Sequence, residues 1–122
     1  MPTTPFQAKV EINLASGHGG ENGWIAVPAR KTLVIEYVSG EAFMPRGQKA
    51  LFSVEVDQGS GAVRHYLGSQ PAGAFGGKDY FWASTPAKFY AKGGTQVNLR
   101  ADRDLATGTA KFRLALSGYL QS

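Results

Sequence analysis

The stretch GAFGGKDYFWAS, residues 73–84, gathers side chains that could do chemistry: Lys78 in a glycine-rich turn, then Asp79, then Tyr80, Phe81 and Trp82 in succession. A Gly-Lys turn can cradle phosphate only when a further glycine precedes it by five positions, Ser or Thr follows, and a helix opens there. Here Ala72 stands where the first glycine belongs, Asp79 follows Lys78, and the next residues read as strand. That spacing excludes a phosphate loop. What remains is the chemistry of flat rings beside a carboxylate, which suits stacking against a sugar or a base.

The other reactive residue types are sparse. The chain has no cysteine, which removes disulfides, thiolate metal sites and cysteine nucleophiles. Its two histidines are far apart. His18 shares a glycine loop with Glu21 and Asn22, a set that offers polar contacts to a ligand and otherwise reads as a solvated loop. His65 alternates with Val63 and Leu67 and so belongs to an apolar face. The triplet Asp102-Arg103-Asp104 has the spacing of the start of a calcium loop without its later acidic ligands, and reads as turn chemistry. Serines, His65 and Asp79 could be assembled into a hydrolytic set, but no G-x-S-x-G elbow singles out one serine. No metal or cofactor is expected, and binding is favoured over catalysis; a small enzyme of unassigned reaction is the lesser alternative.

Aromatic residues carry more information. Tyr80 and Trp82 share one face of their strand, opposite Phe81. Alternation also places Tyr66 beside Arg64, Tyr90 beside Lys88, and Tyr119 in line with Arg113, all on nominally polar faces. Rings in such places serve subunit interfaces or ligands. Ring stacking by Trp82 or Trp24, with hydrogen bonds from Asp79, Asn22 and Glu21, is the mechanism these residues suggest. Tyr66, Tyr90, Tyr119, Arg64 and Arg113 are expected at an oligomer interface or a ligand.

The elements that must position these residues are strands. FQAKVEINL puts Phe6, Ala8, Val10, Ile12 and Leu14 on one face, and TLVIEYV (32–38) puts Leu33, Ile35 and Tyr37 together. ALFSVEVD (50–57), AVRHYLG (62–68), DYFWAS, AKFYA, TQVNLRA (95–101) and TAKFRLALSGYL follow the same period of two. Residues 16–23, 39–49 and 70–78 read as connections. Glycine or proline interrupts every candidate helix. Eight or nine short strands indicate one all-β domain over 1–122, an antiparallel sandwich of jelly-roll type, with a small closed barrel as the alternative. The long first and last strands are expected inside sheets.

With 122 residues, 43% of them hydrophobic and 18% charged, the chain can bury a core. Residues 1–61 hold five basic against six acidic side chains, and residues 62–122 hold eight against three. A basic second half permits single-stranded nucleic acid as the alternative partner, through Arg64, Lys88, Arg100 and Arg113 with Tyr66 and Tyr90. MPTTPFQAKVEINL lacks the basic and apolar regions of a signal peptide, and no apolar run is long enough for a span. A cytoplasmic protein, or one exported without a leader, is the expectation. Exposed aromatics on several strands also predict self-association as a dimer or trimer. The functional reading is a binding or assembly module, lectin-like or phage-structural, with carbohydrate as the first ligand class.

Overall fold

The computed structural model describes residues 3–122, and its regular elements are nine strands. These are β1 (Thr3–Leu14), β2 (Gly20–Ala26), β3 (Thr32–Pro45), β4 (Ala50–Asp57), β5 (Ala62–Leu67), β6 (Gln70–Phe75), β7 (Lys78–Lys92), β8 (Gln96–Arg103) and β9 (Ala110–Gln121). They build a five-stranded sheet in the order β1-β9-β3-β7-β6 and a four-stranded sheet in the order β2-β8-β4-β5. Every pairing is antiparallel, and the pairings nest: β1 with β9, β2 with β8, β3 with β7, β4 with β5. One long antiparallel ribbon has thus rolled up into two facing sheets, which is a jelly roll. Each sheet keeps two edges, so the closed-barrel alternative is wrong.

The core follows from the period of two. Leu33, Ile35 and Met44 of β3 and Phe112 and Leu114 of β9 face Phe52 and Val54 of β4 and Leu99 of β8, all essentially inaccessible. Phe52 and Phe112 meet edge to face at 5.9 Å and 75° at the centre. Gly40 faces this pair, and a Cβ there would come within 2.9 Å of the Phe52 ring. His65 stacks on Phe89 at 4.0 Å and 14°, in the layer between the sheets that its alternation indicated.

Four features depart from the sequence reading. β3 runs on through residues 39–45, where a turn was expected, and a register shift between Ile35 and Tyr37 marks a bulge at Glu36. Ahead of the bulge the odd positions face inward; after it Val38, Ala42 and Met44 do. Tyr37 is therefore turned outward, against the expectation. β7 is continuous across Thr85-Pro86, because Pro86 lies opposite Tyr37 beside that bulge, where the missing N–H is tolerated. Residues 70–75 form an edge strand, and all six are exposed. Finally, β9 lies inside its sheet as expected, but β1 is an edge strand.

One end of the sandwich is organised by Arg103, which is 7% exposed. Its Nε donates to His18 O (3.0 Å), Nη1 to Gln48 Oε1 (3.2 Å) and Thr107 O (3.3 Å), and Nη2 to Ala15 O (3.1 Å) and Gly108 O (2.9 Å). Five N–H groups find five acceptors on the β1–β2, β3–β4 and β8–β9 connections.

Candidate ligand-binding groove

The outward face of the five-stranded sheet is where the aromatic residues collect. Tyr80 and Trp82 both point outward from β7, while Ala83 is buried beneath the sheet. Tyr80 meets Phe43 edge-on at 4.5 Å and Phe75 at 5.2 Å, and the Arg113 guanidinium lies 5.4 Å from the Phe43 ring centre. This cluster is self-supporting and fixes the strand that carries Trp82.

Below the cluster the face is hollow. Two depressions, of about 370 and about 420 Å³, share Lys9, Ser39 and Ala115, and so form one trough. Tyr37 stands in the first depression and Trp82 in the second, each 42% exposed. Small side chains make the floor because Ser39 pairs across the ladders with Ala115 and Ser84. Trp82 pairs with Glu41, four residues along β3 from Tyr37, so the two rings are offset by roughly 13 Å along the strand. At the rim Arg113 binds Glu41 (Nη1 to Oε1, 3.0 Å) and Glu11 (Nε to Oε1, 3.5 Å), leaving its charge neutralised. The result is an open, rigid trough with an aromatic wall at each end.

The remaining candidate residues divide. Tyr90 and Tyr119 are the cross-strand neighbours of Val34, an outward-facing but fully buried valine; Tyr90 stays exposed and Tyr119 is half-buried. Asp79 is committed to the β3–β4 turn: Oδ1 pairs with Arg46 Nε at 3.1 Å and Oδ2 accepts from Gly47 N at 2.9 Å. It is not a free ligand contact. His18 is exposed, and its backbone closes the β1–β2 turn by donating to Ala15 O. Glu21 is exposed on edge strand β2, opposite core residue Ala101. Trp24, Asn22, Tyr66 and Arg64 lie on the outward face of the other sheet. Ala15, just ahead of the 16–23 segment, and Lys78 of the 70–79 segment line one depression, yet Trp24 and Trp82 stand on opposite sides of the molecule.

The cations proposed for nucleic acid also separate. Arg64 and Arg100 belong to the four-stranded sheet and Lys88 and Arg113 to the five-stranded one, and all three arginines are ion-paired. No three His, Asp or Glu side chains lie together as metal ligands among the described residues, and no helix among them is long and apolar enough to cross a membrane.

No protein-family model matches the chain, and no curated protein matches it. The trough must speak through its geometry.

Tyr37 is the site residue that simple alternation assigned to the core. In the structure the inward residues are odd-numbered at Leu33 and Ile35 but even-numbered at Val38, Ala42 and Met44, and the bulge at Glu36 makes that change.

Proposed function

We propose that the protein is a carbohydrate-binding jelly-roll module whose ligand lies along the trough of the five-stranded sheet. The observation that carries this reading is the pair of half-exposed rings, Tyr37 and Trp82, at the two ends of a floor of small side chains. A sugar ring presents an apolar C–H face to an aromatic ring and hydroxyls at its edge. Ser39 and Ser84 on the floor, and Lys9 and Glu41 at the rim, supply hydrogen-bond partners for those hydroxyls. An open trough on a rigid sheet suits binding, whereas bond cleavage profits from a site that excludes water.

Binding is measured with a panel of cello-, malto-, xylo-, manno- and chito-oligosaccharides by calorimetry. Trp82→Ala and Tyr37→Ala are each expected to weaken the best ligand by about tenfold, since stacked rings at a site centre contribute on the order of 1.4 kcal/mol or more. Unchanged affinity in both variants contradicts the reading.

Assembly is the second reading, favoured by nine large apolar or aromatic side chains standing exposed among the described residues. A dimer or trimer burying the same trough would sediment as such, and Trp82→Ala would return it to monomer. The carbohydrate reading expects the oligomeric state to be unaffected by that substitution.

A further inference from the structure

The outward face of the four-stranded sheet has a different construction. Cross-strand register lays Trp24, Asn98, Glu55 and Arg64 in one row and Asn22, Arg100, Ser53 and Tyr66 in the next. These positions face outward, yet Ser53 is 1% and Asn98 3% exposed. Trp24 and Tyr66, on the two edge strands, are 54% and 66% exposed. Polar groups are thus sealed into the middle of an outer face with a bare ring at each side.

Two hydrogen-bonded groups hold that middle, Arg64 with Ser53 and Glu55, and Arg100 with Asp102, Asn22 and, through it, Asn98. Arg100 Nη1 donates to Asn22 Oδ1 at 3.2 Å, which fixes the orientation of the Asn22 amide. Asn98 Nδ2 must then donate to the same oxygen, and does so at 2.8 Å. Flipping Asn98 would oppose two carbonyl oxygens. Its own Oδ1 is consequently left buried with no donor among the described residues. A buried acceptor without a partner is disfavoured, and a native structure seldom keeps one without a use. Its cross-strand neighbour Glu55 is itself an acceptor, engaged by Arg64 Nη2 at 3.2 Å.

Charge narrows the class of ligand. Arg64 is matched by Glu55 and Arg100 by Asp102 at 3.0 Å, so the two groups have no surplus of either sign. Gly20 permits the second pair, because a Cβ there would collide with Asp102 Oδ1 and lie 2.8 Å from Arg100 Nη2. What such a surface lacks is a neutral donor, with an apolar face to set against a ring.

We propose that this face is a second binding site, taking an uncharged hydroxyl-bearing ligand of the saccharide class, with a hydroxyl donating to Asn98 Oδ1 and the ring stacked on Trp24. Because that oxygen is covered, binding includes rotation of a covering side chain on this face. The proposal stands on a different face from the trough and does not depend on it.

The chain has two tryptophans, so each face has its own fluorophore. In Trp82→Phe protein, Trp24 emission is titrated with the same neutral oligosaccharides at millimolar concentration. A saturable change in Trp24 emission is expected with at least one of them, and Asn98→Ala in that background should weaken it about tenfold, with only a modest fall in the urea-unfolding midpoint from the lost bond to Asn22. Two results overturn the site: no saturable Trp24 response to any member of the panel, or a response that Asn98→Ala leaves at full affinity. A fall in unfolding midpoint with Asn98→Ala and no Trp24 response would make the network structural only. In Trp24→Phe protein the Trp82 signal reports the trough separately, so failure of one face is distinguishable from failure of the other.

Discussion

Arg103 shows how much a single side chain can organise without appearing functional. A guanidinium with every N–H bonded to a carbonyl or amide oxygen ties three connections together at one end of the sandwich. Arg103→Ala leaves those acceptors without partners and is expected to lower stability by about 3 kcal/mol in urea unfolding. Arg103→Lys should restore little of it, since one ammonium cannot reproduce a planar fork of five donors. The triplet Asp102-Arg103-Asp104 drew attention through its acids. Asp104 does serve a turn, accepting from Lys49 N at 2.6 Å, but on the β3–β4 connection instead of its own. The arginine's role was not legible, because its burial arises only where three chain-distant turns meet.

At the scale of elements, β3 decides the site. The core faces of β4, β8 and β9 were legible directly, since Phe52, Val54 and Val56, then Val97 and Leu99, then Phe112, Leu114 and Leu116 keep strict alternation and are all buried. β3 breaks alternation once, at Glu36, and then passes through Ser39-Gly40, two residues that read locally as a turn. Gly40 is required there for space under Phe52, not for bending. Gly40→Val, although richer in strand propensity, should therefore cost about 2 kcal/mol by overpacking the Phe52 ring. Adding Phe52→Leu should recover part of that loss, and a double-mutant cycle by chemical denaturation reads the coupling. Edge strand β6 escaped the sequence reading for a related reason. All six of its residues are exposed, so no apolar period marks it, and only pairing with β7 makes it a strand.

For the whole molecule, strand order settles what spacing in sequence left open. Trp24 and Trp82 offer the same stacking chemistry in sequence, and the nested pairings put them on opposite sheets. The same topology divides the basic second half between two faces and matches Arg64, Arg100 and Arg113 with carboxylates. Retention on heparin at low salt should consequently be weak, and saccharide affinity at the trough should change by less than about twofold between low and physiological salt, whereas phosphate-backbone binding would fall steeply. If both faces bind saccharide as proposed, a long glycan would be bridged between molecules, which turbidity of a polysaccharide mixture would register.

The trough itself is tested most directly by fluorescence titration of Trp24→Phe protein, in which Trp82 is the only tryptophan. Saturable change of Trp82 emission with a neutral oligosaccharide, weakened about tenfold by adding Tyr37→Ala, is the predicted result. Emission that stays constant across the panel, or a response that Tyr37→Ala does not alter, contradicts a ligand lying between the two rings.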